Sequence, residues 1–141
     1  MALKEMYDYL SSATPDYNAW LDMRTSADTG VFKVFTECGL FNQVVHEGDA
    51  TYEDVVTLDS TPIFYIEIGW DALSDTTAAT IWDWYFDSTK AFGKIRSFKW
   101  YHPTDGHGYV VRFDMDMERE IHTLTDIHSM PDIKLKVLGH T

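Results

Sequence analysis

Between residues 109 and 118 apolar and polar side chains alternate. Tyr109, Val111, Phe113, Met115 and Met117 fall on one side; Val110, Arg112, Asp114, Asp116 and Glu118 fall on the other. A period of two predicts a strand with one buried face. Residues 95–101 form a second strand candidate, and Pro103-Thr104-Asp105-Gly106 between the two has turn chemistry. The pair is therefore expected as an antiparallel hairpin. A closing strand is expected over 133–138, with Ile133, Leu135 and Val137 inward and Lys134 and Lys136 outward. Charges on one face argue against burial on both sides.

Four further strand candidates lie upstream, at 31–35, 40–46, 52–58 and 62–70. The last is rich in β-branched and aromatic residues. Gly48 and Pro62 fall at boundaries, where turn formers belong. One segment has the helical period instead. Ala78, Ile81, Trp82, Tyr85, Phe86 and Thr89 make a stripe at spacings of three and four, which predicts an amphipathic helix over about 74–92. Ser74 or Asp75 suits its N-cap, and Gly93 its left-handed end. Trp84 lies off the stripe, which makes it a candidate subunit contact.

At the N-terminus Leu3, Met6, Tyr7 and Leu10 recur at helical spacing ahead of a turn-rich stretch at 11–16. Residues 1–15 thus read as an arm or short helix. It either docks on a neighbour, with Leu3 and Met6 as contact candidates, or packs back on its own domain. Residues 16–141 read as a single domain. Many strands with one helix before the last hairpin describe an α+β, mostly antiparallel β-sandwich or split barrel, with one long amphipathic helix packed on it.

Composition fits one domain: 141 residues, 45% hydrophobic and 15% aromatic. Lone Cys38 excludes an internal disulfide framework or a cysteine-rich zinc site. No stretch is long and apolar enough to span a membrane, and the first twenty residues lack a signal-peptide pattern. Eleven basic residues face twenty-three acidic ones, for a net charge of −12. No Lys or Arg occurs between Lys33 and Lys90. Such a chain should repel polyanions, so specific DNA binding is not expected.

The scan for chemistry finds no catalytic set. His102, Asp105 and His107 share one turn, but two histidines on a loop fall short of a metal centre, and solvated loop histidines are the simpler reading. Cys38 has no nucleophile signature around it, and Asp114, Asp116 and Glu118 have the spacing of any wet strand face. No phosphate-binding glycine pattern is present. Neither an enzyme, a cofactor nor a metal is expected. An alternative is a small-molecule-binding α+β domain with Trp82, Tyr85, Trp100 and Tyr109 around an apolar pocket. A metal-dependent hydrolase using the loop histidines is a third reading.

The stretch from about residue 63 to the end resembles the distal-tail and minor-tail proteins of long-tailed bacterial viruses. The matching pieces are the helix running to Phe92, Gly93, Phe98-Lys99-Trp100, Pro103, Val111-Arg112-Phe113-Asp114 and the closing Ile133-Lys134-Leu135-Lys136-Val137. The resemblance implies a tail-tube-like fold and a structural role without catalysis. It implies a homo-oligomeric ring, commonly a hexamer, joining the tail tube to the tip or baseplate. Its partners would be the tail tube protein, the tape measure and the hub or tip proteins. Genomic DNA would pass through without specific binding, and the place would be the virion tail, assembled in the host cytoplasm. With the resemblance in view, His102, Asp105, His107 and Arg112 join Trp84, Leu3 and Met6 as subunit-interface candidates.

Overall fold

A computed structural model describes residues 4–21, 32–41, 43–47, 53–57, 62–103, 105–121 and 127–141. After a 3-10 turn (Met6–Tyr9), the order is β1 (Trp20–Leu21), β2 (Phe32–Leu40), β3 (Gln43–Glu47), β4 (Glu53–Thr57), β5 (Ile63–Ser74), α1 (Asp75–Phe86), β6 (Phe98–Tyr101), β7 (Gly108–Phe113), β8 (Glu120–Ile121) and β9 (Ile127–His140). The main sheet runs β1-β6-β7-β9-β5-β2, with β8 paired to β9. Every pairing in it is antiparallel except β1 with β6. Strands β3 and β4 form a separate two-stranded ribbon. The fold is thus α+β with a mixed, mostly antiparallel sheet. Among the described residues no helix is long and apolar enough to cross a membrane.

The sheet does not close into a barrel, and the ribbon packs extensively on no other described element, so no second layer makes a sandwich. It does curl. The β5–β9 register slips between Ile68 and Trp70 and again before Leu73, and β7–β9 slips between Val110 and Val111. Such bulges bend strands and increase twist. Pro131 falls in the first slip, where its missing N–H breaks no ladder bond. The curl brings edge strand β2 across the interior: Phe35 meets Trp100 at 6.5 Å and His102 at 5.1 Å, ring centre to ring centre.

The concave side holds the core, which includes Ile66, Ile68 and Trp70 of β5, Phe98 and Trp100 of β6, Tyr109, Val111 and Phe113 of β7, and Ile133 and Leu135 of β9. Helix α1 packs against β5 and β9, and its Tyr85 ring meets Phe113 at 5.3 Å.

The helix is shorter than its apolar stripe predicts. It stops at Phe86, and residues 88–95 are turns. The Asp87 carboxylate accepts from the Thr89 amide and hydroxyl at 2.8 and 2.7 Å, a local arrangement that competes with another helical turn. Chain folding back then caps the helix: the Ala91 N–H reaches Trp84 O at 3.1 Å and the Gly93 N–H reaches Tyr85 O at 2.7 Å. Gly93, with φ 67°, takes the left-handed conformation expected of it.

The predicted hairpin forms as β6 and β7, paired from Phe98↔Val111 to Tyr101↔Gly108. Both strands are shorter than their patterns. Met115 and Met117 continue the alternation and are partly buried, but outside any ladder. Asp114, Asp116 and Glu118 therefore share no strand face. Strands β5 and β9 run longer than expected, and short β1 escapes the sequence pattern altogether.

Candidate subunit interface

The N-terminal segment packs back on its own domain. Met6 is 3% exposed and part of the core. Ser12 bridges His140 in parallel, with Ala13 N–H to His140 O at 2.9 Å and His140 N–H to Ser11 O at 3.0 Å. Met6 is thus unavailable as a contact for a neighbour, and Leu3 lies outside the described residues. Trp84, too, is buried rather than presented. Tyr17 from the N-terminal segment covers it at 5.3 Å and Phe98 meets it from the sheet at 5.7 Å, so α1 buries two faces instead of one.

The β6–β7 loop holds a connected polar cluster in place of solvated histidines. His102 is only 2% exposed. Its Nδ1 accepts the Asp105 N–H at 3.0 Å, so its Nε2 is the atom that carries hydrogen and donates to Glu37 of β2. Asp105 also accepts the His107 N–H at 2.8 Å and, through its second oxygen, the Tyr109 hydroxyl at 2.6 Å. That hydroxyl in turn accepts the Tyr7 N–H at 3.1 Å. The Tyr7 ring stacks on His107 at 4.2 Å and lies 4.3 Å from His140, while His107 pairs with Glu5 at 2.8 Å. The cluster ties together the N-terminal segment, edge strand β2, the loop and the end of β9. Both ring nitrogens of His102 are engaged, so it offers no free base to a substrate. Among the described residues no group of three His, Cys, Asp or Glu is placed to hold a metal ion.

Burial, and then the nearby Asp105 carboxylate, push the Tyr109 hydroxyl well above the usual tyrosine range. The neutral form is the one the fold stabilises. Its contribution is complete below about pH 10, the unfolded value, and is lost as pH rises toward the higher folded value. Tyr109→Phe removes a donor and strands two partners, at a cost of about 1–3 kcal/mol near neutrality. Urea titrations of both proteins should show that gap, and the gap should narrow above about pH 10. A constant gap from pH 7 to beyond 10 would contradict this assignment.

The aromatic-pocket alternative does not find its residues around a cavity. Tyr85, Trp100 and Tyr109 are core, and Trp82 lies under the Arg119 guanidinium at 4.3 Å. An open apolar cleft of about 330 Å³ lies elsewhere, at the end of β2, lined by Tyr9, Gly39, Leu40, Phe41, Pro62 and Phe64.

Strand β2 itself is the most accessible edge. Among the described residues it pairs only with β5, and Thr36, Glu37, Cys38, Gly39 and Leu40 are all exposed. A strand covered on one face would alternate; consecutive exposure from Thr36 to Leu40 means that this stretch is lightly covered, although Glu37 still meets buried His102 on the inner side. Leu40, Phe41 and Tyr9 place apolar surface beside it. The β3–β4 ribbon springs from the same end of the sheet, between β2 and β5 in the chain. Two-stranded ribbons on their own are marginal in water. Open edge, apolar cleft and unsupported ribbon lie together, where a second chain could stabilise all three. Sequence reading overlooked this edge because no motif marks it; consecutive exposure depends on what fails to pack on it.

The remaining candidate, Arg112, projects from the convex side of β7, opposite Lys136 of β9. No family model matches this chain, and comparison with curated proteins and with solved structures found no match.

Proposed function

We propose that this protein is a structural subunit of a phage-tail-type ring, an adaptor between tail tube and tail tip that forms part of the conduit for DNA, with a tail-tube-like fold and no catalytic role. The observation that carries the reading is the open β2 edge beside an apolar cleft and the β3–β4 ribbon. An edge of this kind is a hazard for a solitary chain and a connector in a closed ring. The sequence pattern from residue 63 onward supports the same assignment. The ring, commonly a hexamer in proteins of that pattern, would meet the tail tube, the tape measure and the hub, inside the virion. A net charge of −12 suits a wall past which DNA slides without sticking.

Light scattering of the purified chain tests this. The expected mass is a multiple of 16.3 kDa, with rings visible by electron microscopy. Cys38→Lys with Leu40→Lys places charge on an exposed edge and should return the protein to a folded monomer. A wild-type chain that stays at 16.3 kDa at high concentration would sink the proposal.

A further inference from the structure

Phe92, in the turn between α1 and β6, has φ 49°. That is left-handed backbone, strained for a bulky side chain and natural for Gly or Asn. Internal packing does not impose it, because Phe92 is 46% exposed. Among the described residues its ring meets the Arg96 guanidinium, 5.9 Å away, at the outer limit of a cation–π contact. Ile95 closes the same turn, its N–H bonded to the Phe92 carbonyl at 3.3 Å. At 65% it is the most exposed large apolar side chain among the described residues. Single exposed apolar residues are ordinary, but two on one tight turn, one of them strained, point to a role outside their own chain. Together they form a knob.

A hole of matching character is the open apolar cleft of about 330 Å³ lined by Tyr9, Gly39, Leu40, Phe41, Pro62 and Phe64. A cavity of roughly 150 Å³ already takes a benzene ring, so the cleft has room for a Phe and an Ile side chain together. Strand registers put knob and hole at opposite ends of the sheet. Leu40↔Ile63, Phe64↔Val137, Tyr109↔His140 and Tyr101↔Gly108 mark the end that holds the cleft. Phe98↔Val111 and Phe113↔Leu135 mark the other, where the turn delivers the chain into β6. A chain therefore cannot fill its own cleft. Charge acts in the same sense. Arg96, beside the knob, is held by the Ser88 carbonyl and by no carboxylate among the described residues. No Lys or Arg occurs between Lys33 and Lys90, the run that supplies every lining residue except Tyr9. Lys4, over the Tyr9 ring at 5.7 Å, is the cation beside the cleft.

We infer that Phe92 and Ile95 of one copy seat in the apolar cleft of the next. This inference rests on the ring reading and names the contact that would orient successive copies. A knob at one end and a hole at the other are different patches, so the contact is head-to-tail and generates a ring when the rotation closes. Seating takes two exposed apolar side chains and the cleft wall out of water, which offsets the strain held at Phe92. A membrane is the weaker occupant for the knob, because a chain of net charge −12 is repelled by anionic lipid.

Two double variants provide the test. F92G/I95S removes the knob, and because Gly suits φ 49° it should fold with wild-type circular dichroism. L40E/F41E puts charge on two exposed cleft residues and closes the hole to apolar groups. Each variant alone should lose at least tenfold in self-association by sedimentation. Mixed in equal amounts, they retain one intact knob and one intact cleft. They should therefore pair as a heterodimer, at twice 16.3 kDa, that grows no further. Assembly of either folded variant alone, as strong as wild type, would overturn the contact while leaving the ring intact. So would a mixture that stays monomeric, or flotation of wild type with phosphatidylserine vesicles that F92G/I95S abolishes. A monomeric wild-type chain would overturn the ring reading itself.

Discussion

Replacing Trp100 with Ala is expected to destabilise the domain by about 3–5 kcal/mol, a large share of the roughly 5–15 kcal/mol that holds a domain together. Trp100 is fully buried at the centre of the curl, between Phe35 from the edge strand and Tyr109 from the neighbouring strand. The cavity left by Ala would open under the point where β2 crosses the interior, so the loss includes β2's hold on the core. Trp100→Phe should cost far less. The indole N–H of Trp100 is buried without a partner among the described residues, and a buried unpaired donor costs about 1–3 kcal/mol. Phe removes that donor and keeps much of the ring contact. Chemical denaturation of both variants checks the contrast; equal losses would mean that the N–H is not the burden described.

Gly139→Ala is expected to lift the N-terminal segment off the domain. A Cβ at position 139 would come within 2.6 Å of the Ser11 carbonyl oxygen and 2.7 Å of Ala13 Cβ. The first of these is backbone, fixed by the hydrogen bonds of Ser11 and Ala13 to His140, and cannot swing aside. Separation would forfeit those two bonds, the Tyr7 N–H bond to the Tyr109 hydroxyl and the burial of Met6, together roughly 3–7 kcal/mol. Besides a lower urea midpoint, the variant should be cut rapidly at Tyr7 or Tyr9 by an aromatic-specific protease at concentrations that leave wild type whole. Equal protection of both chains would show that the segment tolerates the methyl group where it lies.

The sequence foretold those parts of the fold whose causes are local. The β6–β7 hairpin was legible because its turn and its alternation sit within one short stretch, and the helix start followed from a clear change of period. The helix end was not, because Ala91 and Phe92 extend the apolar pattern while the Asp87–Thr89 contacts end the helix first. Burial of Trp84 and His102 was illegible for a different reason: their covers, Tyr17 and Glu37, come from distant segments brought close by the curl. Parallel strand β1 has two residues and no pattern to read. Arg112 stood out in the sequence as the polar side of an alternating strand, but its like-charged neighbour appears only with the β7–β9 register.

Strand β9 has a consequence for how the protein is made. It lies in the middle of the sheet, joining β7 on one side to β5 on the other, and it follows every other strand in the chain. During synthesis the two halves, β1-β6-β7 and β5-β2, therefore wait with their inner edges bare until β9 leaves the ribosome. Pairings this distant in sequence form slowly, and bare edges invite aggregation meanwhile. Nascent chains stalled before residue 127 should thus depend on chaperones, whereas the full chain can seal both halves with a single strand.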